Sequence, residues 1–343
     1  MNLGGTVHLN RMGVCVVFVC FLIVALYMIR DVEDSETKKP PTINVRQVLI
    51  AAIELAQKGG EQVVKARKQA DMVVHSKGKT KEGANNPVTE ADYNSHCVMY
   101  FGLKKAFPSL QIISEEELSE GKCGQLSSPK LTMHPESEPG LDSLVDEELP
   151  VRDLAVWIDP LDATQEFTEN LLEYVTTMVC VAHKGRPLMG VIHKPFGNPP
   201  HTTWAWLHHG MSPDLISYKS AVGETAVIVS RSHSGSIVET IHRALGSDTP
   251  IIKAGGAGYK VLQVVGGNAS AYVHTTAIKK WDLCAGDAIL SAVGGTMTTL
   301  TNEEISYAAT SDSVNTNGLL ATADKHQSYV LRFHKALEKD LHL

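Results

Sequence analysis

Cysteine is sparse in this 343-residue chain and its spacing pairs nothing: two of six fall in an apolar amino-terminal stretch, and Cys97, Cys123, Cys180 and Cys284 lie far apart. No CxxC motif occurs, so neither a zinc site nor a disulfide framework is indicated, and buried or free thiols are expected. Excess positive charge is also lacking. The net charge of -7 argues against a general surface for a nucleic-acid polymer or an anionic membrane, while leaving room for a local basic pocket that takes phosphate. There is no internal repeat. With 43% hydrophobic and 20% charged residues, the composition is not that of a mainly disordered protein, and the length suffices for one or two packed domains.

Charge is absent altogether from Met12 to Ile29, a run of 18 residues at the lower end of what spans a bilayer as a helix. A membrane anchor is expected there, with the lipid bilayer as a partner through residues 12–29. A cleaved signal peptide is the alternative, but the apolar core is longer than a usual h-region and no small-x-small cleavage site follows it. Residues 1–11 are then a short cytosolic tail, and 30–43, with mixed charge and the Pro40-Pro41 pair, a stem. Arg11 on one flank against Arg30, Lys38 and Lys39 on the other does not favour a lumenal domain by charge alone. Asn268-Ala-Ser270 matches a glycosylation sequon.

The fold should begin near Asn44. Val45, Val48, Leu49, Ala52, Leu55 and Ala56 recur at helical spacing, and Gly59-Gly60 is expected to interrupt or bend that helix. Thr89 opens a second helix running through Phe101, and Leu110 to Ile113 reads as a short strand that ends in Ser114-Glu115-Glu116-Glu117. From about Leu118 to Pro150 no periodicity survives, which predicts a long surface insertion or mobile loop. Leu154 to Ile158 is a buried strand whose pairing should stop at Asp159, because Pro160 cannot donate to a ladder. Tyr174 to Ala182 and Pro187 to His193 form a hairpin around Lys184-Gly185-Arg186, and Thr202 to Leu207 adds a strand. Beyond Thr225, strands and helices alternate as in an α/β domain.

Four short segments carry chemistry. Asp159-Pro-Leu-Asp162 places two carboxylates at a strand end, where ligands bind; an Asx turn is the competing reading. Trp281-Asp282 falls near a helix start, where a carboxylate is also favoured by the helix dipole alone. Glu115 and Glu116 follow a strand directly, although consecutive acids usually face solvent. Together Glu115, Asp159, Asp162 and Asp282 are hard oxygen donors of the kind that suits magnesium rather than zinc, and an open carboxylate site of that kind indicates phosphoryl chemistry. Thr89-Glu-Ala-Asp92 satisfies a capping box; alternatively Asp92 and Thr164 form a hydroxyl-carboxylate pair that deprotonates a water.

In these segments the chain resembles the inositol monophosphatase-like superfamily of lithium-sensitive, magnesium-dependent phosphatases, over most of residues 44–343. Its Asp-Pro-Leu-Asp-Gly-Thr element is similar to Asp159 to Thr164, with Ala163 in place of the usual Gly. Its Trp-Asp-x-x-Ala-Gly element is similar to Trp281 to Gly286, its acidic pair to Glu115-Glu116 and its Thr-x-x-Asp element to Thr89 to Asp92. The resemblance implies metal binding by Glu115, Asp159, Asp162, Asp282 and the Leu161 carbonyl, with two or three Mg2+ ions, and activation of water by Asp92 and Thr164. It also implies an α/β fold of layered αβαβα type, here with an amino-terminal transmembrane helix. An α+β half would span residues 44–222 and an α/β half residues 223–343.

Val229-Ser-Arg-Ser-His233 and Ala254-Gly-Gly-Ala-Gly-Tyr-Lys260 resemble the branch of that superfamily that hydrolyses 3'-phosphoadenosine 5'-phosphate. Ser230, His233, Gly256 and Lys260 would contact such a nucleotide. With the anchor, the resemblance implies a single-pass type II Golgi membrane protein whose lumenal domain clears the by-product of sulfotransferases. An inositol-phosphate or sugar-bisphosphate phosphatase is the enzymatic alternative, and a catalytically silent tethered scaffold the non-enzymatic one. A homo-oligomer is left open.

Overall fold

The computed structural model describes residues 15–16, 18–25, 40–69, 74–79, 85–134, 138–216, 226–231 and 234–338, and the chain divides into two units, Met1–Pro41 and Thr42–Leu343. In the first unit, residues 18–25 are helical, and Phe18, Phe21, Leu22 and Ile23 are exposed. Among the described residues no helix is long and apolar enough to cross a membrane. The anchor expected over residues 12–29 is therefore not supported, and its remaining positions, like the tail and most of the stem, lie outside the described residues.

In the second unit, helix α1 (Val45–Arg67) begins where the Asn44 side chain accepts the Gln47 amide, and ends with Lys65 and Arg67 at the negative pole of its dipole. It runs unbroken through Gly59 and Gly60, correcting the expected interruption. A Cβ at Gly59 would lie 2.5 Å from the Met99 sulfur, and one at Gly60 would lie 2.6 Å from the His193 ring. These glycines allow close packing and do not break the helix. Gly59 faces helix α2 (Glu90–Ala106), which extends past the expected Phe101.

Hairpin strands β1 (Val74–Lys79) and β2 (Asn85–Thr89) lead into α2. The central sheet then uses β3 (Gln111–Ser114), β4 (Leu154–Asp162), β5 (Thr176–His183), β6 (Arg186–Lys194), β7 (His201–Trp206) and β8 (Gly210–Met211), in the spatial order β8-β7-β6-β5-β4-β3. Lys184 and Gly185 turn the expected hairpin with φ of 51° and 77°, as a two-residue loop with both positions left-handed requires. Alternation along β4 divides the core: Val156 and Ile158 join Leu49 and Met99 on one face, while Trp157 joins Leu283 and Ile289 on the other.

The second sheet contains β9 (Val227–Ser230), β10 (Ile251–Ala254), β11 (Ala271–His274), β12 (Thr296–Thr298) and β13 (Leu319–Thr322), ordered β10-β9-β11-β13-β12, with its first three strands parallel. Helices α3 (Thr164–Thr168), α4 (Ser234–Leu245), α5 (Ala257–Val265), α6 (Lys280–Ala292) and α7 (His326–Glu338) complete the unit. Helices α5 and α6 pack between the sheets, and α4 and α7 cover the outer face of the second. A mixed α/β sandwich results. Helix α6 lies so close to β6 that a Cβ at Gly190 would collide with the Ala285 carbonyl oxygen.

Two expectations are corrected in this frame. The 118–150 segment is held at several points: Arg46 donates to the Leu141 carbonyl, Glu54 accepts the Thr132 and Met133 amides, and Glu148–Pro150 pairs with Thr42–Asn44. The four scattered cysteines form Cys97–Cys123 and Cys180–Cys284 disulfides, across 26 and 104 residues of sequence. Spacing rules address local pairs and could not anticipate contacts made by the tertiary fold.

One buried carboxyl couples this core to pH. Asp287 on α6 accepts from the Tyr307 hydroxyl at 2.8 Å, and the Tyr307 carbonyl accepts from the Trp157 indole at 2.9 Å. Burial pushes the Asp287 carboxyl up to about 7. Between roughly pH 4 and that value the folded chain holds a proton that the unfolded chain releases, so this group's contribution to stability falls as pH rises. In unfolding series from about pH 5 to 8, Asp287→Asn should flatten that decline, by at most a few kcal/mol; an unaltered slope would show that the proton resides elsewhere.

Candidate active site

Glu115, Asp159, Leu161, Asp162, Thr164 and Asp282 line one cavity of about 600 Å³, together with Ser230, Gly256 and Lys260. Parallel strands β9, β10 and β11 end at its wall, at Ser230, Ala254 and His274, the position where open α/β sheets bind ligands. Of the residues singled out from sequence, Asp92 stands behind the wall, and Asn268 is exposed and away from the cavity. His233 lies outside the described residues.

The turn in the last residues of β4 serves structure and site at once. Regular pairing with β5 runs to Asp159 and resumes only at Asp162, opposite Thr176, as expected for a proline at position 160. Asp159 Oδ1 accepts the Leu161 amide at 3.1 Å, so the Asx turn is real. Asp162 looks elsewhere: its oxygens accept the Ala257 and Gly258 amides at 3.1 and 2.8 Å, at the amino terminus of α5. Gly256, with φ of 65°, supplies the left-handed entry to that helix. Ser95 on α2 donates to the Pro160 carbonyl at 2.7 Å and buttresses the turn from below.

Asp92 divides its two oxygens between the two readings. Oδ2 accepts the Thr89 amide and hydroxyl, each at 2.7 Å, completing the capping box. Oδ1 accepts the Thr164 hydroxyl at 2.9 Å. The pair thus meets across 72 residues of chain, and Thr164, unlike Asp92, reaches the cavity. Burial raises the Asp92 carboxyl to about 6 against the opposing pull of its Thr89 hydrogen bonds.

The cavity's charge is dominated by acids. Burial first, and Glu115 next, push Asp159 and Asp282 well above the usual carboxylate range. Asp162 is raised by burial but eased by Lys260, whose own ammonium burial lowers and whose Nζ donates to the Gly256 carbonyl at 2.6 Å. Sequence reasoning missed Lys77 on β1, which bridges Glu115 and the buried Glu116. Burial alone would lower Lys77; the two carboxylates outweigh it and hold it above its ordinary value. Burial pushes Glu116 itself up to about 7. Also missed were Arg231, paired with Glu166 and Glu169, and His274, within 3.3 Å of Ser230. Lys77 sits in a charged run with no period, so no signal marked it, whereas His274 ends a strand beside Ser230's and could have been found by that position.

Among the described residues no group of three or more His, Cys, Asp or Glu side chains is gathered so as to hold a metal ion as it stands. Asp162 is turned to backbone amides and Glu115 to Lys77. The donor set is nevertheless all hard oxygen, under mutual repulsion, and is of the kind a divalent cation such as magnesium neutralises.

Ala163 stands where the turn requires a left-handed residue, with φ of 70°. A side chain there costs about 1 kcal/mol that glycine does not. Ala163→Gly should therefore raise thermal stability slightly or leave it unchanged in a melting experiment; a clear loss would mean that the methyl group packs to advantage.

The comparisons with known proteins agree with this geometry. The model of the inositol monophosphatase family matches residues 44–335. Putative inositol monophosphatase 3 of Drosophila melanogaster is 43% identical over 350 residues, covering 98% of this chain and 96% of its own. The Golgi-resident adenosine 3',5'-bisphosphate 3'-phosphatase of Homo sapiens is 43% identical over 310 residues, covering 88% and 83%. Among solved structures, the extragenic suppressor protein suhB of Bartonella henselae superposes with a TM-score of 0.62 at 18% identity, covering 85% of this chain and 98% of that one. The last likeness establishes the fold alone. Taken with the family match along nearly all of the folded unit, the relatives place this chain in the inositol monophosphatase family, as a phosphatase.

Proposed function

We propose that the chain is a magnesium-dependent phosphatase that removes the 3'-phosphate of 3'-phosphoadenosine 5'-phosphate, leaving AMP and phosphate. The observation that carries the chemistry is the Thr164 hydroxyl, which lines the acid-walled cavity while donating to the buried Asp92 carboxylate. Glu115, Asp159, Asp162, Asp282 and the Leu161 carbonyl would hold Mg2+, which when bound offsets the charge of the phosphoryl group. With its proton directed at Asp92, Thr164 Oγ1 passes that proton to Asp92 Oδ1 as it takes one from a water placed in the cavity, and so remains a neutral hydroxyl. The water oxygen forms a bond to phosphorus, and the ester P–O bond breaks with its electron pair leaving on the 3'-oxygen. The 3'-oxygen then takes a proton from solvent.

Nucleotide preference is supported by two observations. Ser230, Gly256 and Lys260 share the cavity with the acids, and relatives named as Golgi-resident adenosine 3',5'-bisphosphate 3'-phosphatases are 42–43% identical. An inositol-phosphate reading is favoured by the similar identity to the relatives named inositol monophosphatase 3. A Golgi location fits the relatives' name, and a lumenal placement of the domain fits the two disulfides, which persist in oxidising compartments.

Phosphate release by the purified full chain, with and without Mg2+, is expected to be faster on 3'-phosphoadenosine 5'-phosphate than on inositol phosphates, and Lys260→Ala should narrow that difference. Equal rates on both classes would remove the nucleotide assignment. Asp92→Asn and Thr164→Val should each lower kcat roughly a hundredfold or more with little effect on KM. Near-normal kcat in either variant would exclude the pair as the proton acceptor.

A further inference from the structure

Asp282 sits in the first turn of α6 and lines the cavity together with Glu115, Asp159 and Asp162, carboxylates of like charge on other elements that repel it. Helix α6 is pressed on β6 at Ala285, but that contact is noncovalent. Two residues beyond Asp282, Cys284 is disulfide-bonded to Cys180 on β5. Cys180 pairs across the ladder with Trp157 on β4, two residues before Asp159. Both cysteines are buried, at 0% and 1% exposure. A single covalent bridge therefore links the helix start that carries one acid to the strand pair that carries two others.

We propose that the Cys180–Cys284 bond is a positioning device for Asp282, holding α6 against the repulsion of the cluster and so raising its affinity for a divalent cation. This rests on the metal-site reading given above. The Cys97–Cys123 bond provides the contrast, because it ties α2 to the segment beyond Glu117 and leaves α6 untouched. Side chains that orient metal ligands from outside the ligand set typically contribute ten- to a hundredfold in affinity, and a ligand displaced by about half an ångström loses its geometry.

The test is calorimetric titration of the full chain with Mg2+, without substrate, alongside thermal melting. Cys180→Ala/Cys284→Ala should weaken Mg2+ binding about tenfold, and Cys180→Val/Cys284→Ala, which refills the space without the bond, should do the same if the alanine pair fails to fold. Cys97→Ala/Cys123→Ala should lower the melting temperature while holding Mg2+ affinity within about twofold. With saturating Mg2+, kcat of the Cys180/Cys284 variants should approach that of the native chain. Unchanged Mg2+ affinity in a folded Cys180/Cys284 variant would overturn the proposal and leave the bond a stability cross-link alone. Failure of the native chain to bind Mg2+ would overturn the metal-site reading and this inference with it, whereas a change of substrate preference would touch neither.

Discussion

Mutual repulsion among carboxylates gathered at one cavity is the constraint around which this molecule is arranged. Glu115, Asp159 and Asp162 come from neighbouring strands of one sheet and Asp282 from a helix, and burial pushes the carboxyls of Asp159, Asp162 and Asp282 up. The fold keeps them together by engaging their oxygens individually. Asp162 is received by the amino terminus of α5, Asp159 by its own turn, and Glu115 by Lys77. Behind them α2 ties itself to the turn through Ser95 and to the end of β3 through His96 and Ser114.

In that arrangement one side chain can hold the backbone with one atom and serve the cavity with another. A carboxylate has two oxygens, and at Asp92 one completes a helix cap while the other receives Thr164. The cap fixes the carboxylate, and the fixed carboxylate can then orient a hydroxyl. The same economy governs the turn at Asp159, where an Asx hydrogen bond shapes the backbone that presents the Leu161 carbonyl.

Local pattern made much of the site legible. Strand-ending acids, the capping box and the Gly-rich entry to α5 are short motifs whose physics is contained within a few residues. Long-range consequences were not. Gly59 and Gly60 look like helix breakers until a second helix and His193 are seen to require the space. The cysteines look solitary because one bridge spans 104 residues. The 118–150 segment lacks periodicity, yet Leu141 and Leu144 are buried and its ends are pinned by main-chain and side-chain bonds. Lys77 answers to charges on another strand and carries no signature of its own. For the amino-terminal run, no helix among the described residues is long and apolar enough to cross a membrane.

The contact between Gly190 and the backbone at Ala285 has a consequence for how such a molecule can vary. Because a helix main chain rests on a strand without an intervening side chain, the gap between the layers is fixed by backbone atoms and cannot be tuned by exchanging residues of different size. A larger residue at position 190 would have to push α6 outward, carrying Asp282 with it. Substitution at this contact is thus tied to displacement of the helix start that carries Asp282. At this contact the two layers behave as a template of set thickness.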